Sequence, residues 1–98
     1  MEEIKTKFIN GRGGFYLFDN KEQLGEMIAS IEGDELTVHH TEVNPKAEGK
    51  GYAKKLLQQM AEYARQNHLQ VIPKCEYVHT QFKRHSELYA DIWKMGTK

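Results

Sequence analysis

Hydrophobic positions along the chain keep one period in its first half and another in its second. The first half alternates. Phe15 to Phe18 is a short aromatic run that follows the glycine-rich turn Asn10-Gly11-Arg12-Gly13-Gly14, and Asp19-Asn20-Lys21-Glu22 has the composition of a tight turn. Leu24 to Ile31 comes next, with Met27, Ala29 and Ile31 on one face, and Glu32-Gly33-Asp34-Glu35 makes a second turn. From Leu36 to Val43 the alternation resumes: Leu36, Val38 and His40 point one way, Thr37, His39 and Thr41 the other. Connections this short predict antiparallel neighbours.

In the second half Ala53, Leu56, Leu57, Met60 and Ala64 recur at i, i+3, i+4, i+7 and i+11, with polar residues opposite. This spacing predicts an amphipathic helix over 51–66, with Asn67 as a left-handed cap. Leu69 to Pro73 reads as a short strand. A strand reached through a whole helix pairs parallel to the strand before it, by a right-handed crossover. A second helix is predicted over 76–85, with Val78 and Phe82 on one face. Ser86 is placed to cap a short C-terminal helix that carries Leu88, Tyr89, Ile92 and Trp93. The expected fold class is α+β: antiparallel strands followed by a β-α-β crossover unit, in a single domain over 1–98 with no repeat or linker.

Composition narrows the function classes. Lys+Arg and Asp+Glu number 14 each, so net charge gives no general footprint for nucleic acid or a membrane surface. One cysteine, Cys75, allows no internal disulfide and fits a reducing compartment. No apolar run reaches membrane-spanning length and the N-terminus lacks a signal-peptide core, which makes the cytosol the default location. Cys75, His79 and His85 do not supply the convergent ligand set a metal needs, so no metal is expected.

The stretch Val43 to Ala53 carries the densest chemistry. Gly49 and Gly51 tolerate positive φ and let a ligand approach the backbone. The helix that follows leaves its first N–H groups unsatisfied, and a phosphate accepts from such groups. Lys50, Lys54 and Lys55 add positive charge. The third glycine of a dinucleotide fingerprint and the Gly-Lys-Ser/Thr of a P-loop are absent, so spacing alone leaves two readings open: a phosphate cradle, or a flexible lead-in to the helix.

Glu48-Gly49-Lys50-Gly51-Tyr52-Ala53 resembles the cofactor motif Arg/Gln-x-x-Gly-x-Gly/Ala of the GNAT superfamily of acetyl-coenzyme-A-dependent N-acetyltransferases. The order Val43-x-Pro45 and Gly49-x-Gly51, the long helix, Val71-Ile72-Pro73-x-Cys75, Tyr77-Val78, Arg84-His85 and Tyr89-Ala90-Asp91 is similar to a compact, single-domain subgroup of that superfamily. The resemblance implies a mixed sheet whose strand before the turn splays from the parallel strand after the helix. The pantetheine arm of acetyl-CoA would lie in that gap against Thr41, Glu42 and Val43. The pyrophosphate would rest on the amides of Gly49, Lys50, Gly51, Tyr52 and Ala53, with Lys54 beside it. Glu48 stands where the family has Arg or Gln; its family contact runs through the backbone, so its side chain is expected to turn outward.

Cys75 follows the parallel strand and precedes a helix, and local N–H groups there favour a thiolate. It is the first catalytic candidate, as a nucleophile that forms an acetyl-cysteine, and an inert cysteine lining the slot is the alternative. His40 is the second candidate, as a base for the attacking amine or for Cys75. Tyr89 lies in the late segment from which family members protonate the leaving thiolate, and equally in a packing face with Leu88, Ile92 and Trp93. The function implied is acetyl transfer from acetyl-CoA to an amine, on a small molecule or a macromolecule. The rivals are a coenzyme-A-binding module without turnover and a protein-interaction domain whose glycine turn is structural. Neither the amine nor the oligomeric state is set by the sequence.

Overall fold

The computed structural model describes residues 1–97; Lys98, the end of the expected domain span, lies outside the described residues. Strand β1 (Glu2–Ile9) pairs antiparallel with β2 (Arg12–Asp19) through a turn of Asn10 and Gly11 alone. Both turn residues have positive φ, 53° and 78°, which an Asn-Gly pair adopts readily. Gly13 and Gly14 are strand residues, not turn residues: they pair with Phe8 and Lys7. A Cβ on them would meet Lys7 O at 1.8 Å and Met27 O at 2.1 Å, so close approach of the neighbouring strands dictates glycine there. β1 is an element that the predicted strands do not include. Its signal is the alternation of half-buried Ile4, Thr6 and Phe8 with exposed Lys5 and Lys7 at a sheet edge.

β3 (Glu22–Glu32) and β4 (Glu35–Val43) continue the antiparallel meander, and β5 (Gln70–Pro73) adds to β4 in parallel, giving the sheet order β1-β2-β3-β4-β5. This is the mixed α+β sheet that the two hydrophobic periods predict. Buried strand residues share one face, as the pairs Phe15/Met27, Ala29/Val38 and Leu36/Val71 show. Helix α1 (Tyr52–Gln66) lays Leu56, Leu57, Met60 and Ala64 onto that face, and α2 (Glu76–Arg84) adds Val78 and Phe82. Gly25 brings α1 close to β3: a Cβ there would sit 3.2 Å from Leu56 Cδ1.

One irregularity decides where site residues point. Ile28 pairs with His40 and Ala29 with Val38, so His39 is an extra residue on β4. Such a bulge resets the alternation. His40 therefore shares a face with Ile28, away from Leu36 and Val38, and Thr41 (opposite Met27) turns onto the core face. This corrects the expected alternation, in which His40 lay with Val38 and Thr41 opposite. The His39 ring lies 2.8 Å from Ser30 Oγ.

The helix ends depart slightly from expectation. Asn67 has φ −106°, and the left-handed residue is His68 at φ 54°. Asn67 instead donates from Nδ2 to Tyr63 O at 2.9 Å. α3 (Ser86–Tyr89) starts at Ser86 with His85 at the cap position, and Ile92 and Trp93 fall beyond it. There Val71 N bonds Ile92 O at 2.6 Å and Lys94 N bonds Val71 O at 3.0 Å, so this segment runs parallel along the outer edge of β5. No helix among the described residues is long and apolar enough to cross a membrane.

Candidate functional site

β4 outruns β5. Their pairing starts at Glu35/Gln70 and ends at Val38/Pro73, and the Cys75 amide adds a last bond to Val38 O at 2.9 Å. Pro73 has no N–H to extend the ladder, and the chain turns into α2 at Cys75. From His39 to Val43, β4 is paired to β3 alone. The result is an opening at the carboxyl ends of two parallel strands, the place where open α/β units bind ligands.

The glycine turn stands at the mouth of this opening. Asn44 N bonds Leu24 O at 2.8 Å, its side chain accepts from Lys46 N at 3.0 Å, and a 3-10 turn, Pro45–Ala47, buries Ala47. These bonds fix the start of the turn. Gly49 and Gly51 then take φ 85° and 77°, with nothing within 4 Å of either Cβ position. Among the described residues no protein acceptor meets the amides of Gly49 through Lys54; the next amide, of Lys55, bonds Gly51 O at 3.1 Å. Free donors gathered at the positive end of a long helix suit an anion. A cavity of about 280 Å³ opens here, lined by Val43, Ala47, the turn, the first residues of α1 and Tyr77.

Side chains sort by what else holds them. Tyr52 is buried and donates its hydroxyl to Glu2 Oε2 at 3.2 Å, so only its amide is offered to the site. The Glu2 carboxyl is held below its usual range chiefly by Lys55, which pairs with it, while burial and then Glu2 push the Tyr52 phenol up. Lys54 and Lys50 are exposed, and Lys54 lines the cavity. Glu48 is exposed on the cavity rim and has no ion-pair partner among the described residues. Thr41 and Val43 are half-buried and Glu42 is exposed.

Cys75 caps α2 and is 7% exposed. Its Sγ lies 3.3 Å from Thr41 Oγ1. His40 is not brought to it: its ring is 53% exposed on the other face of β4, 3.5 Å from Glu42 Oε1. Glu26 joins them, and the three groups lie within 4.8 Å of one another, as cross-strand register places them. His79 packs edge-on to Trp93 at 5.9 Å. Tyr89 is 6% exposed and stacks on Phe82 at 4.7 Å, which makes it a packing residue, and Asp91 pairs with Arg65 at 2.8 Å. Tyr77 is the cavity-lining residue that periodicity does not reveal. Its signal is its place two residues after Cys75, in the first turn of α2.

The donor set fits the diphosphate and arm of a coenzyme A. Bare glycines, free amides and flanking lysines answer the phosphates, and the unpaired edge of β4 answers the amides of the arm.

A family model described as GCN5-related N-acetyl-transferase matches residues 14–92. Among solved structures, a GCN5-like candidate N-acetyltransferase from Staphylococcus aureus is 30% identical, covering 94% of this chain and 87% of its own, with a TM-score of 0.70. The ribosomal-protein-S18-alanine N-acetyltransferase from Escherichia coli shares 15% identity over 79% of this chain and 53% of its own, at a TM-score of 0.67. The PaiA N-acetyltransferase from Thermoplasma acidophilum, solved with coenzyme A, shares 12% over 78% and 50%, at 0.61. These last two show likeness of fold, and this chain spans about half of each. No curated protein matches the sequence.

Proposed function

The chain belongs to the GCN5-related N-acetyltransferase family, and on that premise we propose that it binds acetyl-coenzyme A and transfers the acetyl group to an amine. The carrying observation is the set of acceptor-free amides from Gly49 to Lys54, at the mouth of the opening where β4 runs on past β5. In this reading those amides and Lys54 hold the pyrophosphate. Thr41, Glu42 and Val43 offer backbone groups to the arm. When bound, the coenzyme supplies an activated acetyl thioester.

In this reading the arm would end at Cys75, whose Sγ lies 3.3 Å from Thr41 Oγ1. As a thiolate, Cys75 would take the acetyl group from the thioester, a bond to Sγ forming as the bond to the coenzyme sulfur breaks and the coenzyme leaves as its thiolate. An incoming amine then takes the acetyl group from Cys75 and restores the thiolate. His40, exposed beside Glu42, accepts the proton the amine gives up. His40 lies on the face of β4 away from Cys75, and in this reading it serves the amine.

A second reading, a coenzyme-A-binding module without turnover, is favoured by one observation. Among the described residues the sole side-chain hydrogen-bond partner of Cys75 is Thr41, and no base adjoins the thiol. Titration of acetyl-CoA followed by amide NMR tests binding: shifts at Gly49 to Lys54 support it, and unmoved amides end both coenzyme readings. Release of free coenzyme thiol on adding a panel of amines separates turnover from binding alone.

A further inference from the structure

We propose that Tyr77 holds the arm of the coenzyme in its slot: its ring forms the wall facing the glycine turn, and its hydroxyl donates to a polar group of the arm. This rests on the coenzyme reading above and goes beyond its contacts on β4 and the turn. Tyr77 is the one residue of α2 that lines the cavity of about 280 Å³ at the turn. Val43 comes from β4, and the rest belong to the turn or the start of α1. Cys75, two residues earlier, faces Thr41. In the proposed pose a linear ligand, with its anionic end on the turn amides and its other end toward Cys75, runs past Tyr77.

The polar atoms on that path are few. The Tyr52 hydroxyl is committed to Glu2, and Val43, Ala47 and Ala53 carry no polar side-chain atom. Lys54 and Glu48 are charged and sit at the exposed, phosphate end. Among the residues that line this cavity, Tyr77 offers the neutral side-chain donor that is not already engaged. Burial, followed by the charges of Tyr89 and Cys75, pushes its phenol above the ordinary range, so it keeps its proton at neutral pH. A rigid aromatic ring fixes such a contact with little loss of side-chain freedom.

The test compares coenzyme A with its nucleotide half, adenosine bisphosphate, by titration calorimetry. Tyr77→Ala is expected to weaken coenzyme A about tenfold and Tyr77→Phe about threefold, as for one packed ring and one hydrogen bond. Adenosine bisphosphate, which does not reach past the turn, is expected to bind both variants as it binds the unaltered protein. Equal loss for both probes would mean a merely structural role and overturn the proposal. So would undiminished coenzyme A binding by Tyr77→Ala. If Tyr77→Ala fails to fold, Tyr77→Leu keeps the bulk, removes ring and hydroxyl, and carries the same expectation. Unaltered protein that binds neither probe would overturn the coenzyme reading itself, and this inference with it.

Discussion

Thr41 Oγ1 and Cys75 Sγ approach to 3.3 Å, a contact that joins β4 beyond its last β5 partner to the cap of α2. It exists because the bulge at His39 turns Thr41 onto the core face, where Cys75 arrives once its amide has bonded Val38 O. Thr41→Val keeps the shape and removes the hydroxyl. The thiol is 7% exposed, so water replaces the partner poorly. Urea unfolding is expected to show a loss of about 0.5–1.5 kcal/mol, mostly recovered in Thr41→Ser. Equal stability of Thr41→Val and the unaltered chain would mean the atoms are neighbours without a hydrogen bond.

Gly49→Ala and Gly51→Ala separate the cost of the backbone from the cost to binding. Their φ values of 85° and 77° lie in the left-handed region, and nothing stands within 4 Å of either Cβ position. Each substitution is therefore strained without a clash and is expected to cost about 1–2 kcal/mol in denaturant unfolding. The added methyl stands beside the free turn amides. Coenzyme A affinity, titrated on folded variant, is expected to fall by more than about tenfold. Unchanged affinity would place the diphosphate elsewhere.

Arg65 grips Asp91 at 2.8 Å and 3.3 Å and also bonds Leu88 O at 2.8 Å, tying α1 to α3 and to the chain that follows it. The hydrogen bond from Arg65 holds the Asp91 carboxyl below its ordinary value of 3.8. A carboxyl lowered by folding stabilises above its unfolded value, and the gain fades as pH falls through the lower, folded one. Both side chains are more than a third exposed, so the contribution is small, about 0.5 kcal/mol. Asp91→Asn is expected to show that deficit near pH 6 and none near pH 2, as fits to melting curves across about that range would report. A deficit that persists at the acid end would assign it to packing and not to the charge.

How far the fold was legible turns on which features are local. The helix over Tyr52–Gln66 follows from five apolar positions at helical spacing, and the crossover follows from its length. β1 was obscured because an edge strand exposes Lys5 and Lys7 and half-exposes the residues between them. Gly13 and Gly14 imitate a turn in composition, while the need for glycine there lies in Lys7 and Met27 on neighbouring strands. His39 is the sharper case. An extra residue on β4 is visible only against β3, so alternation placed His40 beside Val38 when pairing sets it beside Ile28. The glycine turn was legible because its chemistry is contiguous in sequence. Tyr77 was legible only as part of the family resemblance and not as a site residue, because it meets that turn through tertiary packing alone.

His40 and Cys75 lie on different faces of the sheet region around β4, so their substitutions should break different steps. Intact mass after incubation with acetyl-CoA is expected to show one added acetyl group on the unaltered chain and none on Cys75→Ala. His40→Gln is expected to acquire that acetyl group at the normal rate, because His40 does not reach the thiol. Its amine-dependent release of coenzyme is expected to fall about a hundredfold, the usual loss when a positioned base is removed. If His40→Gln slows acetylation of the protein as much as transfer to the amine, the division of labour drawn from the bulge is wrong. If Cys75→Ala retains full amine-dependent release, the amine attacks the thioester directly and the cysteine lines the slot without reacting.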